Sequence, residues 1–235
     1  MQSYTYPGQE LEFFEKALHW KTYFSSILKP FIGDYVLEVG SGIGATTTLL
    51  NDGHTKQWML LEPDEQLNKI LKAKIHANPQ FANCLLKQAT IHELISNENF
   101  DTIIYIDVLE HIRDDKEEMQ KAASLLKPNG HLLILSPAYE FLFSPFDKAI
   151  GHYRRYNSST LTAVIPSELK KLSIRYLDSI GYFASLANKL ALKQNYPTEK
   201  QIRIWDRWMI PVSKVTDKIF FHSFGKSILG IWRKE

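Results

Sequence analysis

Residues Val36 to Thr46 read VLEVGSGIGAT: an apolar strand ending in an acid, three alternate glycines at Gly40, Gly42 and Gly44, then the start of a helix. A strand that runs through glycines into a helix brings its own backbone against a ligand, because each missing Cβ admits unusual dihedrals and a close approach. A glycine triplet alone is weak evidence. The next apolar run, QWMLLEP, supplies the other half. Its acid, Glu62, stands about 20 residues on, the spacing at which the tip of a neighbouring parallel strand meets a ribose diol. Two strand tips then converge on one crevice.

The pattern separates ligand classes. A dinucleotide fingerprint wants G-x-G-x-x-G so that a pyrophosphate lies on the helix N-terminus, whereas this chain has E-x-G-x-G-x-G. No Lys-Ser/Thr pair follows the glycines, so a phosphate-gripping P-loop is not supported. The arrangement resembles motif I of the class I S-adenosylmethionine (SAM) methyltransferases, whose cofactor carries a ribose and an adenine but no phosphate. LLEPDEQ is similar to that family's ribose-binding second strand, FDTIIYIDVLEHI to its fourth strand and following turn, and LLKPNGHLLILSP to its helix, turn and fifth strand. The resemblance covers roughly residues 35 to 137, in the family's order.

Strands are expected near Tyr35 to Val39, Trp58 to Leu61, Cys84 to Lys87, Thr102 to Ile106, His131 to Leu135, Ser173 to Leu177 and Ser227 to Trp232, with helical patterns between them. Two helices are legible: Gln9 to Leu28, ending before Pro30, and Asp114 to Leu126, stopped by Pro128-Asn129-Gly130. Strands alternating with helices imply an α/β fold with a mostly parallel sheet. With the resemblance, the expected architecture is Rossmann-like and doubly wound, a mostly parallel seven-stranded sheet with an antiparallel last strand and an N-terminal helical cap. At 235 residues and 44% hydrophobic content, one domain over 1–235 is expected. It divides into a cap (1–30), a cofactor-binding half (31–137) and a substrate-binding half (138–235) with an insertion between the last two strands.

A net charge of +2 is too small to argue for a nucleic-acid partner, and the single Cys84 excludes an internal disulfide and a clustered cysteine metal site. No signal-like or membrane-spanning run is read, so the cytoplasm is the expected compartment. Charge is uneven, with nine Lys/Arg against four acids over residues 191–235.

The resemblance implies a cofactor pocket, with SAM bound and S-adenosylhomocysteine (SAH) released. Gly40, Ser41 and Gly42 would line the methionine part, Glu38 would orient its ammonium through water, and Glu62 with Pro63 would take the ribose. Many family members place an adenine-binding Asp after the third strand. Here Lys87-Gln88-Ala89-Thr90 stands instead, leaving Gln88, Ala89 and Thr90 as the expected contacts. Asp107 closes the pocket from the fourth strand.

If a helical turn starts at Asp107, then Asp107, Glu110 and His111 share one face. Three readings stay open: a polar helix start facing solvent, His111 as general base or orienting group, and a divalent-cation cradle. D-x-x-E-H is similar to the E-x-x-E-H of small-RNA 2′-O-methyltransferases and the E-H pair of ubiquinone-pathway O-methyltransferases, which implies metal assistance by Asp107, Glu110, His111 and His152. The expected catalytic groups are His111 and His152 without a metal.

After the fifth strand, SPAYEFLFSPFDKAIGHYRRYN sets aromatics around Asp147, His152, Arg154 and Arg155, and resembles the D-x-x-x-G-H-x-R-R-Y segment of a bacterial methyltransferase subfamily. Tyr139, Phe143, Tyr153, Arg154 and Arg155 are the expected substrate contacts, the arginines gripping an anionic group; the alternative is an ion-paired clasp to Asp147. Farther on, Ile202, Trp205, Trp208/Met209, Val215 and Ile219 form an amphipathic stretch among Arg203, Arg207, Lys214 and Lys218. Core packing is expected of it, with a substrate lid or contact with an anionic membrane as alternatives. One of the cap aromatics, Trp20 or Tyr23, is expected to close over SAM.

These readings converge on in-line methyl transfer from SAM to a small-molecule, sugar or lipid-head-group acceptor, oxygen favoured. No N/D-P-P-Y/F follows the fourth strand and no cysteine stands near a proline, which argues against DNA-base chemistry. A non-catalytic SAM-binding module is the alternative of another class.

Overall fold

The computed structural model describes residues 6–8, 11–95, 99–189 and 196–235. Its seven strands are β1 Tyr35–Val39, β2 Gln57–Leu61, β3 Cys84–Lys87, β4 Phe100–Ile106, β5 Leu126–Pro137, β6 Leu169–Leu177 and β7 Ser227–Lys234. They lie in the order β3-β2-β1-β4-β5-β7-β6. Pairs from β3 to β5 are parallel, and β7 runs antiparallel to both β5 and β6. The expected mostly parallel sheet with an antiparallel last strand is what forms. β1, β2 and β4 read as nearly unbroken apolar runs because both faces of a parallel sheet are covered.

Successive residues of each strand enter opposite cores. Leu37, Met59, Leu61, Ile103 and Tyr105 belong to one core with Met119 and Leu125, and Val36, Trp58, Leu60 and Ile104 belong to the other. The first core is covered by helix α5 Asp115–Leu125, and the second by α2 Leu18–Leu28, which contributes Trp20, Tyr23, Phe24 and Leu28. Among the described residues the remaining α-helices are α1 Leu11–Glu15, α3 Thr47–Leu50, α4 Glu65–Ala77, α6 Pro145–Ala149, α7 Ser158–Val164, α8 Ser179–Ala187, α9 Glu199–Ile204 and α10 Ile210–Ile219. A π turn, Trp205–Met209, joins α9 to α10.

The structure departs from the sequence reading at three places. The single helix expected over Gln9 to Leu28 is broken after Glu15; Gln9 and Glu10 lie outside the described residues. The buried Asp206 carboxylate accepts the N–H groups of His19 (3.2 Å) and Trp20 (2.8 Å), so α2 is capped from a distant helix and starts afresh. Next, α5 ends at Leu125 and β5 begins at Leu126, five residues early. Asn129 takes φ 66° and turns the chain within the strand, beside an irregular register between Phe100 and Thr102. Finally, β6 begins at Leu169 rather than Ser173. It is an edge strand whose exposed Lys170 and Lys171 hide the apolar signal. Pro211 does not interrupt the insertion helix, since it stands in the first turn of α10 just past the π turn, where a missing N–H costs least.

Candidate functional site

Sheet order reverses between β1 and β4, and a cavity of about 840 Å³ opens beyond their carboxyl ends, where open α/β sheets hold ligands. The glycine loop forms its rim. Gly40 has φ +64°, and a Cβ on it would stand 2.7 Å from Val108 Cγ2, so the position admits only glycine. At Gly42, φ +54°, a Cβ would meet nothing but Leu11 Cδ1 at 4.0 Å, which leaves the space beside that backbone open to a ligand. Ser41 anchors the loop to β2 through its N–H (3.0 Å) and Oγ (3.2 Å) on Leu61 O. Glu62 accepts from Gly42 N (2.7 Å) through one oxygen and from Asp64 N (2.9 Å) through the other, and burial pushes its pKa up to about 7. Pro63, Ala89, Thr90 and Asp107 also line the cavity.

Two expected cofactor residues are elsewhere. Glu38 is 3% exposed and absent from the cavity wall; its carboxylate accepts from Thr47 Oγ1 and Trp58 Nε1, both 2.8 Å, and fastens the start of α3 to β2. Gln88 is also outside the wall, whereas Thr90 is in it, its hydroxyl donating to Glu93 Oε2 (3.2 Å).

At the cavity floor, Asp107 does not begin a helical turn. Its φ of 54° delays the turn to Leu109–His111, so Asp107, Glu110 and His111 do not form the single helix face expected of them. Glu110, fully buried, instead meets His111 and His152. Its Oε2 accepts from Ser136 Oγ (2.9 Å), while Oε1 has no hydrogen-bond partner and stands 3.8 Å from His152 Nε2. His111 Nδ1 is also buried without a partner, and the two imidazoles cross at 4.4 Å and 81°. One ligand atom from each of Glu110, His111 and His152 falls within 4.8 Å of the others; Asp107 is outside that set.

The electrostatics divide the roles. Burial, then the positive charge of His152, lowers the His111 pKa to about 3 and favours its neutral form. Burial opposes the His152 cation as well, but the Asp147 hydrogen bond and the charges of Glu110 and Asp147 outweigh it and raise that pKa. Burial raises Glu110 against the opposing pull of His152. Asp107 faces the cavity; enclosure raises its pKa while Lys21, His152 and Lys226 oppose.

The substrate segment is corrected most. Arg155 lines the cavity, yet its Nε and Nη2 each bond an Asp147 oxygen at 2.8 Å, and His152 Nδ1 bonds the same carboxylate at 2.9 Å. Arg154 pairs with Asp115 and donates to Arg113 O, outside the cavity. Tyr139 stacks on Tyr176 at 4.9 Å and 4°, Tyr153 is exposed and Phe143 is half-buried; none of the three is in the wall. Both arginines are thus consumed by acids of their own chain, the clasp arrangement. The wall instead holds Leu142 and Phe146 from the same segment, Trp205 and Met209 from the insertion, and, besides the exposed Lys189, two enclosed cations the motif reading passed over, Lys21 and Lys226. Burial lowers both lysine pKa values. Lys21 had a signal in the sequence, since it follows the cap aromatic Trp20; Lys226 had none beyond its place before the last strand.

A family model described as a methyltransferase domain matches residues 12–194. The chain belongs to the class I SAM-dependent methyltransferases. It is 26% identical over 172 residues to the ubiquinone biosynthesis O-methyltransferase of Bartonella bacilliformis, covering 66% of this chain and 65% of that one, so the chain spans less than two thirds of that relative's length. To the enzyme of the same name from Coxiella burnetii it is 26% identical over 182 residues, covering 69% and 73%. N-methyltransferase NodS from Bradyrhizobium japonicum WM9 has a similar structure, with a TM-score of 0.57 at 15% identity over 96% of this chain and 98% of that one. NodS is also known in complex with SAH. The [4+2]-cyclase SpnF superposes with a TM-score of 0.63 at 16% identity, covering 92% and 81%. At such identities the likeness is one of fold.

Proposed function

We propose that this protein transfers the SAM methyl group to an oxygen of a small acceptor that carries an anionic group. The observation that carries the reading is Glu110 Oε1, a buried carboxylate oxygen without a hydrogen-bond partner, beside the ring nitrogens of His111 and His152 on the floor of the cavity rimmed by the glycine loop. A neutral amine attacks with its own lone pair, whereas a hydroxyl must lose a proton, and such atoms are what its O–H would meet. The names of the Bartonella and Coxiella relatives agree with oxygen.

The residues fit the cofactor: the backbone at Gly42 is open and Glu62 stands at the rim. Bound SAM supplies an electrophilic methyl on a sulfonium. The protein's part is to hold the reactants in line and exclude water. The Glu110–His152 pair takes the hydroxyl proton, and Asp147 fixes the His152 ring. Lys21 and Lys226 replace the arginines as partners for an acceptor anion. A single drug-sized ligand occupies a pocket of about 300–1,000 Å³. At 840 Å³ the cavity lies in the upper part of that range.

A second reading has its own observation. Glu110, His111 and His152 offer one carboxylate and two imidazoles within 4.8 Å, and Asp147 backs His152 as a carboxylate backs a metal-bound histidine. That donor set suits a borderline divalent cation such as Zn²⁺ or Fe²⁺, which would polarise the acceptor oxygen.

Mass spectrometry of cell-extract metabolites that gain one methyl in the presence of enzyme and SAM tests the main reading. Oxygen-methylated products are expected; methylation only at nitrogen or carbon overturns it, and SAH binding with no transfer favours the non-catalytic module. Activity that survives EDTA removes the metal reading and leaves the Glu110–His152 base.

A further inference from the structure

The amphipathic stretch of the insertion divides in the structure. Ile202, Trp205 and Ile210 turn inward onto α2 and the sheet, while Ile204, Trp208, Val212, Val215 and Ile219 are exposed at successive intervals of three or four residues along α9, the π turn and α10. That spacing is one face of a continuous helix about 30 Å long. Beyond its end stands Phe221, 90% exposed at φ 52°, a conformation an aromatic residue seldom adopts.

The exposed charges along this helix are all basic after its first residue, Glu199, which pairs with Lys16. From residue 200 to 221 the sequence holds five cations, Lys200, Arg203, Arg207, Lys214 and Lys218, all exposed, and two acids, Asp206 and Asp217, both buried. Asp206 is spent on the start of α2, and Asp217 accepts from Tyr23 OH (2.9 Å), Asp178 N (2.8 Å) and Ser179 N (2.9 Å). Four of the cations, at 203, 207, 214 and 218, each precede an exposed apolar residue, so a basic stripe runs beside the apolar one. Ile204 belongs both to the exposed face and to the cavity wall.

We propose that this helix is a docking surface for an anionic lipid bilayer, lying in the headgroup plane with Trp208, Val215, Ile219 and Phe221 inserted and the basic stripe on the phosphates. Apolar insertion and charge attraction act together in such helices, and neither suffices alone. Among the described residues no helix is long and apolar enough to cross a membrane, so contact is peripheral. The inference stands apart from the choice of methyl acceptor.

The test is co-sedimentation of the intact protein with vesicles of phosphatidylcholine alone and of phosphatidylcholine with three parts in ten phosphatidylglycerol. Binding is expected to the second and not the first, and to fade at high salt. Trp208→Ser with Ile219→Ser should abolish it, and Arg207→Gln, Lys214→Gln and Lys218→Gln together should weaken it by about a hundredfold, roughly fivefold per charge. Trp20, Trp58, Trp205 and Trp232 are buried. A blue shift of tryptophan emission on vesicles therefore reports Trp208 and should vanish in Trp208→Phe. Unchanged melting temperature and SAH affinity show that each variant is folded. No binding to anionic vesicles, or variants that bind as well as the parent, overturns the proposal. So does a vesicle-free dimer on gel filtration that the same substitutions dissolve, which would assign the face to a second copy of the chain.

Discussion

Asp147 decides what its neighbours are free to do. Its carboxylate takes two bonds from Arg155, one from His152 and the backbone N–H of Ser144 at 2.8 Å, with almost no exposure. Asp147→Asn leaves a buried guanidinium without its counter-charge, a loss of about 3–5 kcal/mol in urea unfolding, while Tyr153→Ala, exposed and outside the wall, should change little. A loss under about 1 kcal/mol in Asp147→Asn would refute the clasp. Burial raises the Asp147 pKa, but its bonds to His152 and Arg155 win and hold it below the ordinary carboxylate range. Its stabilisation is therefore present above that range and lost as pH falls through it, and the Asn variant should have a flatter acid limb. At the cavity floor the sign differs. Glu110 and His152 both hold their proton more tightly than usual, so kcat/KM should rise with pH on the alkaline side of neutrality. Glu110→Gln should remove that limb, whereas a limb retained in the variant assigns the base elsewhere. The motif brought Glu110, His111 and His152 into view, but not which arginine meets which acid. Arg154 and Arg155 are adjacent, point to opposite sides, and find Asp115 and Asp147 only in three dimensions.

Among the elements, those buried on both faces were the most legible. β1 has the residues its apolar run implies and β2 starts one residue early, because hydrophobic content there is set by the sheet itself. The ends of α2 and β5 were not, since each depends on a group remote in sequence or on one residue's φ. The cap of α2 comes from Asp206, 186 residues beyond Trp20. Asp206→Ala should cost about 1–3 kcal/mol, the range for a lost cap and buried acceptor, and should speed amide exchange at His19 and Trp20 before the central strands. Equal acceleration across the sheet would mean that Asp206 does not cap locally. The insertion reading was half right for the same reason. Periodicity identifies an apolar stripe but not how many stripes one helix carries, and here Trp205 and Trp208, three residues apart, belong to opposite environments.

Across the whole molecule, the cavity is closed by pieces far apart in the chain, which is why Lys21 and Lys226 escaped a motif reading while Gly40, Gly42 and Glu62 did not. Its roof is the cap: Tyr6, Leu11, Phe14, Trp20 and Phe24 all face the cavity, and the roof is tied to the cofactor end by Tyr6 N on Asp64 Oδ2 at 2.8 Å. The roof's outer part is weakly held, because α1 has five residues and buries none of them. Short helices with little buried area open easily and alone. A ligand beneath such a roof stabilises it only if the roof must open for the ligand to leave. SAH at about 100 times its Kd should add about 2.7 kcal/mol to global stability, near 5–10 °C in melting temperature for a chain of this length. The sharper reading is amide exchange in α1. If opening the roof requires SAH to leave, exchange there slows by the same factor of about 100 as in the central strands, because each opening event must first expel the ligand. If α1 exchanges at its ligand-free rate while β4 and β5 gain full protection, the cofactor reaches its site without passing the cap, and the roof belongs to the acceptor's path instead.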